Sequence, residues 1–77
     1  MNNYEAWKRV RDLKIGDKLI FTEDDVYDVT DVTAESIEVS WVETQFEDNE
    51  RLYDRRTPTE VAEWLNHDDF MEVVKCE

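Results

Sequence analysis

The sequence has few of the residues that organise fibrous, disordered or disulfide-rich proteins. One glycine and one proline in 77 residues exclude collagen-like and low-complexity chains. The single cysteine, Cys76, excludes an internal disulfide framework, and with the single histidine, His67, it leaves too few ligands for a zinc site. No apolar run approaches the ~20 residues of a membrane span, and residues 1–5 lack the features of a signal peptide. We therefore expect a cytoplasmic protein with one domain over residues 1–77.

Positive charge is missing from a long stretch of the chain. Residues 19–50 carry eleven Asp or Glu and no Lys or Arg. Residues 1–18 have five basic and three acidic residues, and residues 51–77 have four and seven. The regional net charges are therefore −11, +2 and −3, against −12 for the whole chain. A field of this sign repels phosphates, which argues against nucleic-acid binding through the middle of the chain.

Three interpretations of this acidity are open. It can keep a domain hydrated in a high-salt cytoplasm, or it can form an interaction surface for a basic partner. Mimicry of nucleic acid is a special case of the second interpretation. Four lysines stand beside five arginines, which weighs against the first, since strongly halophilic chains hold less lysine.

The hydrophobic pattern predicts two helices. Over residues 3–13, apolar side chains recur at spacings near 3.6, as in an amphipathic helix. Thr57, Pro58 and Glu60 form the signature of a capping box, so a second helix is expected to begin there and to end near residue 66 or 67. The predicted apolar face of the first helix comprises Tyr4, Ala6, Trp7, Val10 and Leu13.

Five short segments have the alternation or the β-branched composition of strands. They are residues 18–22, 26–33, 36–43, 51–55 and 70–74. The alternation of the second segment slips once between Val29 and Val32, which indicates a bulge. Alternation in the third is regular and puts Ile37, Val39 and Trp41 on one face.

Short adjacent strands favour antiparallel pairing. We predict an α+β fold, with a small, strongly bent antiparallel sheet, an N-terminal helix and a helix before the last strand. The turn at residues 13–17, followed by an apolar strand, a long bent strand and a hairpin, resembles the opening of many small SH3-like barrels. The resemblance makes such a barrel the favoured architecture. A flat sheet with both helices on one face is the alternative.

The chain has no arrangement typical of catalysis or cofactor binding. His67 falls at a predicted helix end, and Cys76 is the penultimate residue, where a preorganised nucleophile is not expected. Acidic clusters at residues 23–25 and 68–69 lack the alternating ligands and the glycine of a calcium-binding loop. One glycine cannot form a phosphate-binding loop. We therefore predict neither enzyme activity, nor a metal, nor a cofactor.

These features predict a non-enzymatic module whose negative hairpin face binds a basic protein surface, such as that of a nucleic-acid-binding protein. Outward-facing acidic side chains of the hairpin and of the loop after it supply the charge. Phe46 supplies an apolar anchor, unless it folds back on the core. The predicted partner-binding residues are Asp24, Asp25, Asp28, Asp31, Glu38, Glu43, Phe46, Glu47 and Asp48.

Two alternatives use the rest of the chain. If the acidity only keeps the domain hydrated, the functional surface lies elsewhere. The first helix, where Trp7 lies among basic residues, is a candidate for weak nucleic-acid binding. The cations of residues 8–18 can instead neutralise the acidic sheet, within the monomer or in a head-to-tail homo-oligomer. The same role is expected of Arg51, Arg55 and Arg56.

Overall fold

The computed structural model describes residues 2–43 and 50–76, with only the backbone of Asp24 and Glu43. Its elements are α1 (Asn3–Arg11), β1 (Lys18–Phe21), a 3₁₀ turn (Thr22–Asp24), β2 (Val26–Val32), β3 (Ile37–Glu43), β4 (Glu50–Arg56), α2 (Pro58–Leu65) and β5 (Phe70–Val74). The predicted order of helices and strands is confirmed, and the bounds differ from the predicted ones by one or two residues at most. Neither helix of the described chain is long and apolar enough to cross a membrane.

Both helices begin at side chains that cap them. Asn2 Oδ1 accepts the backbone N–H of Glu5 at 2.8 Å, which satisfies a free donor in the first turn of α1. At α2 the predicted capping box is confirmed, because Thr57 Oγ1 accepts the N–H of Glu60 and the Glu60 carboxylate accepts the N–H of Thr57, both at 3.3 Å. The hydrogen bond from the Thr57 N–H, above all, holds the pKa of Glu60 below its usual value.

The five strands form one antiparallel sheet in the order β4-β3-β2-β1-β5. The last strand, β5, pairs with β1 and leaves β4 at the opposite edge, so the described sheet is open. The α+β fold is confirmed, whereas the SH3-like barrel is not. Two helices cover the apolar face of the sheet, so the sheet does not have to close on itself to bury that face.

A bulge in β2 decides which side chains of the hairpin face outward. Val29 lies opposite Val39 and Asp31 lies opposite Glu38, so Thr30 is an extra residue between the two pairs. Because side chains alternate along a strand, Asp31 would otherwise share the buried face of Val29. The extra residue returns Asp31 to the outer face, and the bulge predicted from the sequence is thereby confirmed.

The core lies between the two helices and one face of the sheet. Its buried members are Ala6, Val10, Leu13, Leu19, Val29, Ile37, Val39, Val61, Ala62 and Leu65. The predicted apolar face of α1 was partly wrong, since Tyr4 is 77% exposed and Trp7 is 39% exposed. The helix turns its smaller side chains, Ala6 and Val10, toward the sheet, and this leaves the two rings on the surface.

Asp17 is a fully buried carboxylate that joins the turn after α1 to the chain beyond β5. Its Oδ2 accepts the N–H of Lys14 at 2.9 Å and Lys75 Nζ at 2.5 Å, and its Oδ1 accepts the N–H of Cys76 at 2.8 Å. Burial by itself raises the pKa of this carboxyl. The hydrogen bonds from Cys76, Lys75 and Lys14 outweigh burial, so the pKa of Asp17 lies below its usual value.

Gly16 permits this close approach of the two segments. Its φ of +100° is a backbone conformation that residues with a side chain rarely adopt. A Cβ atom at this position would also lie 2.8 Å from the Cys76 Sγ. The only glycine of the sequence therefore stands where the backbone needs it.

Replacing Asp17 by Asn tests the role of this carboxylate. The amide oxygen cannot accept all three hydrogen bonds, so we expect the free energy of unfolding at neutral pH to fall by about 1–3 kcal/mol. Since folding lowers the pKa of Asp17 from 3.8, its stabilisation is present above that value and is lost as the pH falls through the lower folded value. Urea denaturation across pH should show the two proteins converging in acid.

The control is Asp12→Asn, which removes an exposed carboxylate from the same segment and should leave stability within about 0.5 kcal/mol. Equal stability of the Asp17 variant and the parent at neutral pH would contradict the assigned role.

Candidate functional site

The predicted partner-binding residues that the structure describes divide between two places. Asp28, Asp31 and Glu38 lie on the outer face of the sheet, opposite the helices, as predicted for the hairpin. Asp31 and Glu38 stand directly across from one another on β2 and β3. Like charges in this position destabilise a strand pair, so the fold requires cations nearby.

Arg55, on β4, neutralises this pair. Its Nη2 donates to Asp31 Oδ2 at 2.8 Å and to Glu38 Oε2 at 3.4 Å, and its Nη1 donates to Ser36 Oγ at 2.8 Å. The hydrogen bond to Asp31, above all, raises the pKa of the Arg55 guanidinium. Thr30, the extra residue of the bulge, donates its hydroxyl to the other oxygen of Glu38 at 2.9 Å.

Asp28 is held between two cations. Lys18 Nζ donates to its Oδ1 at 2.8 Å, and Arg51 Nη1 donates to its Oδ2 at 3.3 Å and to the buried Ser40 Oγ at 2.9 Å. The hydrogen bond from Lys18, ahead of that from Arg51, holds the pKa of Asp28 below its usual value although burial opposes this. The predicted neutralising role of the arginines is confirmed. We call the set the charge ladder: Lys18, Arg51 and Arg55 with Asp28, Asp31 and Glu38.

Carboxylates that pair with no Lys or Arg of the described residues gather at one end of the sheet. The antiparallel pairing of β2 with β3 brings the start of β2 beside the end of β3, and β4 begins there too, with Glu50 opposite Glu43. The N–H of Thr22 donates to the carbonyl of Asp69 at 2.8 Å, which adds the turn between α2 and β5. We call this region the acidic end, and its described carboxylates are Glu23, Asp25, Glu50, Asp68 and Asp69.

Asp25 is the predicted partner-binding residue whose side chain the structure describes at the acidic end. It is exposed, and within residues 2–43 and 50–76 it forms no ion pair. Asp24 and Glu43 belong to the same end by their backbone alone. Phe46, Glu47 and Asp48 lie outside the described residues.

An aromatic pocket of about 340 Å³ opens beside the acidic end, on the helix side of the sheet. Phe21, Tyr27 and Trp41 contribute walls from three neighbouring strands, and Trp64 contributes a wall from α2. Phe21 and Tyr27 meet edge to face, with centroids 5.4 Å apart at 90°, and Tyr27 and Trp41 meet at 5.3 Å and 64°. All four rings are only partly buried.

Carboxylates line the same pocket, and its described lining contains no Lys or Arg. Asp54 accepts from Arg56 Nε at 2.7 Å. Asp69 Oδ2 lies 3.6 Å from His67 Nδ1, and that nitrogen accepts the Asp69 N–H at 3.2 Å. Asp25 completes the rim. Sequence reasoning missed the pocket because its residues come from separate strands and a helix, although the shared face of Val39 and Trp41 was predicted.

The outer face of α1 is a second surface of interest. The exposed rings of Tyr4 and Trp7 line a shallow groove of about 260 Å³ together with Lys8 and Arg11. Neither cation forms an ion pair with any residue that the structure describes. The predicted pairing of the N-terminal cations with the sheet is confirmed for Lys18, which binds Asp28. It is not found for Lys8 or Arg11 among the described residues.

Replacing Arg55 by Gln tests whether the charge ladder supports folding. Asp31 and Glu38 then repel each other across the strands, so we expect the melting temperature to fall by several degrees at about 0.02 M KCl. In about 1 M KCl the loss should shrink, because salt screens exposed charges. The control, Arg11→Gln, removes the same charge from a side chain outside the ladder. Equal losses in both variants at every salt concentration would contradict the role of the ladder.

The described side chains suit an organic cation better than a metal. No group of three or more His, Cys, Asp or Glu among the described residues could hold a metal ion. Aromatic ring faces carry partial negative charge, and the carboxylates beside them add full charges.

No family model matches the chain, and neither a curated protein nor a solved structure matches it.

Proposed function

We propose that this protein is a non-enzymatic binding module that docks on a basic protein surface through its acidic end. The division of the carboxylates carries the proposal. The cations of the charge ladder occupy Asp28, Asp31 and Glu38, whereas Asp25 and Glu50 have no ion pair with any described residue. Unpaired charge concentrated at one end steers a basic partner toward that end and orients it.

The predicted partner-binding residues take different parts in this proposal. Asp25 makes the first contact with the partner. Further acidic contacts come from Asp24, Glu43, Glu47 and Asp48, and Phe46 is the apolar anchor. Asp28, Asp31 and Glu38 bind the partner only after this first contact, because the partner must compete with the cations of the charge ladder to reach them. Contact therefore spreads from the acidic end over the outer face only where the partner is strongly basic.

A strongly basic partner is a protein with a basic groove, such as a nucleic-acid-binding protein. We propose that this module occupies that groove. Carboxylates fixed on a sheet offer the negative charge that such a groove binds in nucleic acid. We place the module in the cytoplasm, which agrees with its single cysteine, the exposed Cys76.

Reversing two charges at the acidic end tests the proposal. We expect Asp25→Lys with Glu50→Lys to weaken binding of a lysine- and arginine-rich peptide at least about tenfold at about 0.15 M salt, because the exposed charges that attract it are reversed. Fluorescence anisotropy of the labelled peptide measures the dissociation constant. The control, Glu35→Lys with Glu63→Lys, changes the net charge equally at exposed positions elsewhere and should weaken binding less than about threefold.

Equal weakening by the two double variants would contradict the proposal, since net charge alone would then govern binding. That outcome favours the alternative in which the acidity only keeps the domain hydrated. Thermal melts from low salt to molar KCl examine this alternative directly. A domain that is barely folded at low salt and gains stability steeply would support it.

The outer face of α1 supports a second candidate function, nucleic-acid binding. The observation that favours it is the exposure of Tyr4 and Trp7 beside Lys8 and Arg11. Bases stack on aromatic rings, and phosphates bind cations. The same face complements the acidic end of a second copy, as a head-to-tail homo-oligomer requires.

A mobility-shift assay separates this candidate from the first. The net charge of −12 repels nucleic acid, so we expect no shift of a single-stranded oligonucleotide even at about 0.02 M salt, where phosphate contacts are strongest. A shift that disappears in Trp7→Ala and in Lys8→Glu, but persists in Glu63→Gln, would establish the second candidate in place of the first.

A further inference from the structure

We propose that the aromatic pocket binds the cationic end of a basic side chain, above all an arginine guanidinium, of the partner on which the acidic end docks. The inference rests on the proposed function and deepens it, because it names the chemical group that is recognised. It requires a cavity, ring walls and carboxylates that pair with no Lys or Arg, all in one place, and the described residues bring these three together.

The ring walls supply attraction for a cation. Phe21, Tyr27, Trp41 and Trp64 line the cavity, and the steep angles between neighbouring rings, 90° and 64°, mean that the walls close it from different directions. A cation near an aromatic face is attracted by the ring quadrupole, most strongly by that of tryptophan. Two of the four walls are tryptophan.

The carboxylates select the sign of the ligand. Asp25 and Asp69 line the pocket, both are exposed, and neither pairs with a Lys or Arg of the described chain. A guanidinium offers five N–H donors in a planar fork that matches carboxylates and also stacks on aromatic faces. An anionic or purely apolar group would offer these two carboxylates no cation.

The chain already contains one arrangement of this kind at the edge of the pocket. The guanidinium carbon of Arg56 lies 6.0 Å from the centroid of the Trp64 ring, and Arg56 Nε donates to Asp54, which lines the pocket. Ring, guanidinium and carboxylate therefore fit together in this part of the fold. Phe21, Tyr27 and Trp41 with Asp25 and Asp69 offer further rings and carboxylates in the same pocket, and these two carboxylates pair with no Lys or Arg of the described chain.

The cavity has room for such a group. Its volume of about 340 Å³ lies at the lower end of the range for ligand sites, about 300–1,000 Å³. That is enough for a guanidinium with part of its aliphatic stem, which would pack against the rings as arginine stems do on apolar surfaces.

Indole N–H resonances provide the test, because two of the three tryptophans line the pocket and the third does not. Trp41 and Trp64 lie in the pocket, whereas Trp7 lies on the outer face of α1. We expect a blocked glycine pentapeptide with a central arginine to shift the Trp41 and Trp64 signals saturably and to leave the Trp7 signal in place. The same peptide with citrulline, which has the shape without the charge, should bind about tenfold more weakly.

Two matched double variants examine the carboxylates. Asp25→Asn with Asp69→Asn removes the two carboxylates of the pocket that pair with no described Lys or Arg, and we expect the arginine peptide to bind about tenfold more weakly. Glu35→Gln with Glu63→Gln removes two exposed charges that belong neither to this pocket nor to the acidic end, and binding should stay within about threefold. The same spectra show that each variant is folded.

Failure of the inference and failure of the proposed function give different results. If the arginine and citrulline peptides bind equally, or the two double variants weaken binding equally, the pocket does not recognise the cation. The proposed function then stands, provided that reversal of Asp25 and Glu50 still weakens binding of the basic peptide at least about tenfold. If no cationic peptide binds at physiological salt, both are contradicted.

Discussion

The fold depends on cations that reach the acidic strands from both sides. Residues 19–50 carry eleven acidic and no basic residues, so β2 and β3 cannot neutralise each other. The strand order flanks them with β1, which begins at Lys18, and with β4, which carries Arg51 and Arg55. Both arginines reach past β3 to carboxylates on β2. Ser40 on β3 is completely buried and accepts a hydrogen bond from Arg51. Because the serine is small, the arginine side chain can cross β3 above it and reach β2.

The reach of these three cations also decides where charge stays unpaired. They stand where β1 begins and along β4, and no basic residue exists between them in the sequence. Glu23 and Asp25 of the acidic end lie in the turn between β1 and β2, and the stretch of sequence that contains this turn, residues 19–50, has no Lys or Arg. Neutralisation of the outer face and accumulation of charge at one end are two results of a single sequence pattern. The excess is directional, and a directional excess orients a partner in a way that evenly spread acidity does not.

Local patterns predicted the elements, and long-range pairing decided the rest. Alternation, the capping box at Thr57 and the slip before Val32 each depend on a few neighbouring residues, so the helices, the strands and the bulge followed from the sequence. The pairing of β5 with β1, which leaves the sheet open, joins residues 49 to 56 positions apart, and no local pattern encodes it. Asp17 read as an ordinary turn residue because its partners Lys75 and Cys76 lie at the other end of the chain. The pocket was missed for the same reason.

The aromatic pocket and the acidic end make more sense together than either does alone. A chain of 77 residues has a small margin of stability. Partly exposed rings and carboxylates without a paired cation contribute less to that margin than buried rings and paired carboxylates would. Phe21, Tyr27 and Trp41 are only partly buried and line the same pocket as Asp25 and Asp69, neither of which pairs with a Lys or Arg of the described chain. A ligand that is flat, cationic and partly apolar compensates both at once, since it covers ring surface and neutralises carboxylates in one contact. That coincidence in space favours a basic side chain as the recognised group.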